Sequence, residues 1–204
     1  SCFGQTMKNL ILVFASMLFL SGCATSGRGQ VDVAIYDLGP SVAPLPGAAE
    51  ANVGIALELH LPFWLDSQAM SYRMAYVDVQ RLRTYAQARW AAPPAQLLQQ
   101  RLRQRLAIVP GGAPCTLRVE LDDFSQTFDS PGSSRALLSG VAVVSGKGRV
   151  AIARLPLRVD VPVASADAQG GAAALAVASE NLSIALLQWL EKQAPSLGAC
   201  RIPS

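Results

Sequence analysis

Leu20-Ser21-Gly22-Cys23 is the stretch of this 204-residue chain whose residue types and spacing point most directly to chemistry. A thiol preceded by small residues closes an apolar run from Leu10 to Leu20 that follows the early charge Lys8. That is the pattern of an export signal cut before a cysteine that becomes acylated. The run is shorter than the roughly 20 apolar residues that a membrane-spanning helix needs. The alternative, a buried helix over residues 10–20, lacks the apolar stripe and polar face of a soluble helix. Cys23 is therefore expected to be the lipidated first residue of the mature chain. Met7 reads as the initiator, with residues 1–6 an upstream extension, residues 1–22 the signal peptide and residues 23–31 a short polar tether. Each buried methylene of an acyl chain contributes about 0.8 kcal/mol, so several chains on one cysteine anchor it permanently.

Once Cys23 is acylated, Cys115 and Cys200 are the cysteines left in the mature chain, and they make one possible pair. In an oxidising compartment such a pair reads as a disulfide, since the C-x-x-C spacing of a redox or metal site is absent. Closing a loop of this length would contribute about 4–5 kcal/mol in the chain-entropy model. Two unpaired buried thiols are the alternative.

Other candidate chemistry dissolves on inspection. The single histidine, His60, sits in an alternating strand pattern without a second histidine to share a metal, so neither a metal site nor a cofactor is expected. Ser145-Gly146-Lys147-Gly148 lacks the full order of a phosphate loop and reads as a hairpin turn. Asp122 and Asp123 are neighbours on a strand and point to opposite faces, which prevents them from sharing one substrate atom. The expectation is a protein that is not an enzyme. With 17 basic and 14 acidic residues the chain is only weakly positive, and nucleic acid is not suggested. Arg81, Arg83, Arg89, Arg101, Arg103 and Arg105 are interleaved with Leu, Gln and Ala, as on a solvated helix face or a basic face toward headgroups or an acidic partner.

What remains unusual is Leu61-Pro62-Phe63-Trp64-Leu65-Asp66, which puts three large apolar groups into a turn. They either cap the core or expose a patch for a partner or lipid. Trp90 before Ala91-Ala92-Pro93 poses the same choice.

The elements that must position these residues follow from periodicity. Val31 to Leu38 alternates as a first strand before the Pro- and Gly-rich loop that begins at Gly39. The pattern resumes at Val53, with Ile55, Leu57, Leu59 and Leu61 on one face. Ala69 to Met74 and Val77 to Arg81 read as a short hairpin. Pro93-Pro94 opens a helix whose stripe is Leu97, Leu98, Arg101, Leu102, Arg105 and Leu106, with its arginines framing the apolar residues. Cys115 to Leu121 alternates cleanly, and the out-of-phase Phe124 implies a bulge or an end at Asp122-Asp123. Strands over residues 135–145 and 149–161 form a meander, and Pro156 marks an edge or a bulge. A last helix covers residues 172–193. The expected fold class is α/β (α+β): a single three-layer domain over residues 32–204, with a central mixed, largely antiparallel sheet flanked by helices.

The order of these features resembles the PqiC-like family of auxiliary lipoproteins of ABC-type intermembrane lipid transport systems. The resemblance is carried by the lipobox and Ile55 to Leu61 with Pro62, then Leu65-Asp66, Tyr72-Arg73, Arg81-Leu82, Tyr85, Arg89-Trp90-Ala91 and Pro94 before a helix. Ser67 departs from it, standing where the family often has arginine. The resemblance implies a non-catalytic component at the outer membrane, facing the periplasm. Ala24, where retained lipoproteins commonly have Asp, agrees with sorting onward. Its implied partners are an MCE-domain protein with its permease and ATPase, with a homo-oligomeric ring a further possibility. Leu61, Pro62, Phe63, Trp64, Leu65, Asp66, Arg73 and Trp90 are the expected contact residues. A structural lipoprotein that assists outer-membrane or cell-wall assembly is the alternative.

Overall fold

Period-2 alternation dictates how the middle of the sheet assembles. Ile55, Leu57 and Leu59 are buried on one strand, and Cys115, Leu117, Val119 and Leu121 on another. The two strands pair in parallel, from Ile55 opposite Cys115 to His60 opposite Glu120, so both apolar rows face one core. The structure, a computed structural model, describes residues 32–51, 54–108 and 113–200. The signal, the tether and Cys23 lie outside the described residues.

The elements are β1 (Ala34–Tyr36), α1 (Ala48–Ala51), β2 (Ile55–His60), β3 (Ala69–Met74), β4 (Asp78–Trp90), α2 (Pro94–Arg105), β5 (Cys115–Ser130), β6 (Ser133–Ser145), β7 (Ala151–Pro162) and α3 (Ala168–Gln193). The sheet runs β1-β4-β3-β5-β6-β7, and β2 also pairs with β5. β2 lies along the first half of β5 and β3 along its second half. The β5–β6 and β6–β7 ladders are long and antiparallel, whereas the parallel pairings of β1 with β4, β2 with β5 and β3 with β5 are short. The expected α+β class with a mixed, largely antiparallel sheet is thus what the chain forms.

The layering differs from expectation. α2 and α3 touch each other, α2 packs on β2, and α3 packs on β5, β6 and β7. Leu98 and Leu102 of α2 share one core cluster with Leu182, Leu186 and Leu190 of α3. The opposite face carries charged side chains such as Glu58, Arg118 and Glu120. The two long helices therefore form one layer on one face, because alternation makes only that face apolar, and the arrangement is two-layered rather than three-layered.

Three further expectations change in detail. β4 extends to Trp90 instead of stopping near Arg81. Beyond Arg81 its register against β3 shifts between Ala69 and Ser71, and exposed, half-buried and buried residues follow one another without a steady period of two until Ala88 and Trp90, so no clean apolar alternation marks it. β1 is three residues, shorter than Val31 to Leu38. Of the three arginines of α2, Arg103 is exposed but the other two are not a solvated frame: Arg101 is 8% exposed and donates to the carbonyls of Leu38 and Gly39. Arg105 donates to the Ala43 carbonyl and pairs with Glu180. These contacts clamp the segment after β1 onto the helices, which continuous guanidinium forks do well.

The anticipated irregularity at Asp122-Asp123 is a bulge. The register shifts between Leu121 and Asp123, which returns Phe124 to the core face, 2% exposed. β5 then continues to Ser130. Gly140 stands opposite Leu121 with φ +156°, where a Cβ would lie 2.1 Å from the Glu120 carbonyl oxygen. Only glycine lets β6 follow β5 that closely. Pro156 lies in β7, the sheet edge beyond β6, as its missing donor requires.

α3 is long and apolar enough to cross a membrane by length and composition alone. Instead it is a core helix, with Leu182, Leu186 and Leu190 fully buried. It starts earlier than its apolar stripe suggests, because Asp167 caps it by accepting from Gly170 N at 2.7 Å. Gly171 brings the first turn against Gln126, whose amide donates to Ser134 Oγ at 2.8 Å and accepts from the Tyr85 hydroxyl at 2.8 Å. Burial, then the neighbouring Tyr72 and Asp167, hold the Tyr85 phenol well above its ordinary range. At the far end of the sheet Cys115 and Cys200 form a disulfide with a Cα separation of 5.2 Å, tying the segment after α3 to the start of β5.

Candidate functional site

Pro62 cannot donate to a ladder, and β2 ends just before it. The chain then folds into a turn in which the N–H groups of Leu65 and Asp66 both donate to the Pro62 carbonyl, at 2.9 and 3.0 Å. Leu65 is 2% exposed and plugs into the core. Asp66 Oδ1 accepts from Ala95 N at 3.0 Å, supplying the first turn of α2 with a cap that Pro93 does not provide. Gln68 closes the segment: its carbonyl accepts from Trp90 N at 2.7 Å and its side-chain amide donates to the Ala91 carbonyl at 2.9 Å.

Between these pins the two large residues of the turn point outward. Phe63 is 85% exposed and Trp64 55%, and their rings meet edge to face with centroids 5.1 Å apart. Of the two alternatives posed by the residue types, the turn takes both. Leu65 caps the core, whereas Phe63 and Trp64 form an exposed apolar pair on a braced support. Exposed aromatic pairs of this kind suit a partner's apolar pocket, since they bring large contact area at small entropic cost.

The other expected contact residues are dispersed. Leu61 and Pro62 are half-buried beside the turn. Trp90 is 1% exposed and packs on Phe124 with ring centroids 5.6 Å apart, so it belongs to the core and cannot serve as a surface. Leu65 is withdrawn from the contact set for the same reason. Arg73 stands apart, opposite Thr127 in register, where its guanidinium lies 3.7 Å from Asp123 and donates to the carbonyls of Val79 and Gln80. It braces the β3–β4 hairpin, a role that spacing alone does not reveal.

His60 and Glu58 approach to 3.9 Å on the open sheet face. Asp122 is exposed, while Asp123 accepts from Ser125 Oγ at 2.6 Å. Gly146-Lys147-Gly148 makes the β6–β7 turn, with Gly146 N donating to the Val150 carbonyl at 2.9 Å. No group of three or more His, Cys, Asp or Glu positioned to hold a metal occurs among the described residues. A depression of about 270 Å³ on the open sheet face is lined by Glu58, Arg118, Glu120 and Arg149, and Arg118 and Glu120 pair across it at 2.8 Å.

The fold and this surface define a two-layer α+β domain with a braced aromatic pair. No protein-family model and no curated protein matches the sequence. Among solved structures the chain is similar to a protein of Xanthomonas campestris from the DUF330 family, with a TM-score of 0.69 and 18% identity over 79% of this chain and 99% of that one. It is also similar to an uncharacterized protein, with a TM-score of 0.60 and 17% identity over 78% of this chain and 99% of that one. At these identities the likeness is one of fold.

Proposed function

We propose that this protein is a lipid-anchored, non-catalytic auxiliary component of an MCE/ABC-type intermembrane lipid transport system. It sits at the outer membrane, faces the periplasm and docks the periplasm-spanning MCE protein. The observation that carries the reading is the Phe63–Trp64 pair, held outward by Leu65 and Asp66 on a domain that follows a lipobox. DUF330, the family of the Xanthomonas fold neighbour, is PqiC-like, and that is the family whose ordered motifs the sequence resembles. Cys23 supplies the anchor and the aromatic pair supplies the contact.

The test is affinity purification of the lipidated protein from detergent-solubilised envelopes, with mass spectrometry of what accompanies it. Recovery of an MCE-domain protein with its permease and ATPase, lost when Phe63 and Trp64 are both replaced by Ala, is the expected result. Recovery of envelope-assembly or cell-wall factors alone would replace the transport reading with that of a structural lipoprotein.

A further inference from the structure

The sheet has two edges, and they are finished differently. β7 forms one of them, where Pro156 and Pro162 remove donors and Arg158 pairs with Asp160 at 3.4 Å. β4 forms most of the other, because β1 pairs only with Ala88 to Trp90. Among the described residues no strand lies beyond β4 from Asp78 to Gln87, and β4 contains no proline. Its outward backbone groups there have no ladder partner, which makes them a template for another strand. β1 itself, added in parallel beside the last residues of β4, shows that this edge accepts one.

The side chains of the free stretch say which strand. Leu82 to Thr84 stand in register with Arg73 to Ser71, with a register shift on either side. Arg81 and Arg83 flank Leu82 and, two positions apart, share one face. Arg83 lies opposite Tyr72, so this is the face on which the Tyr72 and Tyr85 rings stack with centroids 4.6 Å apart. Neither Arg81 nor Arg83 makes an ion pair among the described residues. The carboxylates nearby are committed elsewhere. Asp78 Oδ1 accepts from Gln80 N at 3.1 Å, and Asp123 lies 3.7 Å from Arg73 on the other face. Asp167, beside Tyr85, accepts from Gly170 N at 2.7 Å and from Ser165 Oγ at 3.0 Å.

We propose that Arg81 to Tyr85 is a docking edge for an extended acidic segment of a partner protein. The segment adds to the sheet beyond β4 and sets its carboxylates against Arg81 and Arg83. Main-chain pairing supplies the affinity and the alternate side chains supply the choice of partner. A second copy does not fit, since antiparallel pairing of two β4 strands centred on Leu82 sets Arg81 against Arg83, and like charges directly opposite repel. The same arginines thus reject an identical edge and select an acidic one. The aromatic turn is pinned at the Trp90 end through Gln68, so this edge is a separate surface.

The test uses the full chain in detergent and a synthetic peptide of alternating Glu and Val. One control is the Lys-Val counterpart, which reverses the charge. The other is the Glu-Val peptide N-methylated at every residue, which keeps the charge and lacks every donor that a ladder needs. Only the unmodified Glu-Val peptide should bind in an anisotropy titration, and hydrogen exchange should slow at the outward amides between Asp78 and Gln87. Arg81→Glu with Arg83→Glu should weaken binding at least about tenfold. Arg81→Glu alone, at an exposed position, should give a smaller loss in the same direction, and melting curves check that both variants are folded. A Glu-Val peptide that does not bind, equal binding of all three peptides, or binding that leaves exchange in β4 unchanged overturns the inference. So does slow exchange at the outward amides before peptide is added, because the edge is then already occupied. Protection by phosphatidylglycerol vesicles and not by the peptide would assign the arginines to a membrane surface and overturn it as well.

Discussion

The Asp66 carboxylate accepts from the backbone N–H of Ala95 at 3.0 Å, across 29 positions of sequence. A helix that opens with Pro93-Pro94 lacks a capping side chain of its own, and the turn that carries Phe63 and Trp64 provides one. The carboxylate also faces the positive end of the α2 dipole. The exposed pair is thereby attached to the secondary structure instead of hanging on a free loop, which reduces the entropy lost when a partner binds.

Asp66→Ala should lower stability by about 1 kcal/mol, the usual cost of losing a helix cap. Chemical denaturation of wild type and variant measures this directly, and Asp66→Asn, which retains an acceptor, should recover most of the loss. Equal midpoints for all three proteins would show that the contact does not support the turn.

Replacing Phe63 and Trp64 by Ala should leave folding stability within about 0.5 kcal/mol, as for surface substitutions away from packed features. Binding to the MCE-domain protein proposed as its partner should weaken at least about tenfold, the scale of aromatic anchors at interfaces. Melting curves read beside a titration separate the two effects.

Cys200→Ser opens the loop closed by Cys115 and should cost about 4 kcal/mol under non-reducing conditions. It should also release one reactive thiol on unfolding. The difference between wild type and variant should vanish once wild type is reduced, which a melt with and without reductant will show.

Gly140→Ala places a methyl 2.1 Å from the Glu120 carbonyl oxygen at a φ of +156°. Because backbone and not a flexible side chain blocks the space, the substitution should destabilise by about 1–3 kcal/mol. Ala at Gly132, where nothing lies within 4 Å, should be nearly neutral by the same assay.

Tyr85 supplies a pH dependence. Its folded-state pKa lies above the ordinary phenol value near 10, so the unfolded chain releases the proton first as pH rises. The stabilisation is complete below about pH 10 and is lost as pH climbs beyond it, because the folded state then retains more protons. Tyr85→Phe should flatten this part of the alkaline slope in melting experiments, while losing the hydrogen bond to Gln126.

Local pattern made much of this protein legible. Alternation in Ile55 to Leu61 and Cys115 to Leu121 announced the central strands and their buried faces, and Phe124 falling out of phase announced the bulge. Pro93-Pro94 marked the start of α2, and Gly146 to Gly148 the last hairpin turn. The second half of β4 was hidden because the register shift opposite Ala69 and Ser71 breaks its alternation, leaving no steady period to read before Ala88 and Trp90. Arg101 and Arg105 read as solvated because a sequence does not display the carbonyls of Leu38, Gly39 and Ala43 that receive them.

For the candidate sites the division follows the same physics. Residue type and spacing by themselves determined that Leu20 to Cys23 has the pattern of a lipobox, that Cys115 and Cys200 can form one pair, and that large apolar groups crowd the turn after Pro62. Only the tertiary structure decided that Leu65 and Trp90 go inward while Phe63 and Trp64 face solvent, and that Arg81 and Arg83 stand along an open sheet edge. Whether an apolar side chain is buried depends on which elements the fold lays over it, and that covering comes from residues far away in the chain.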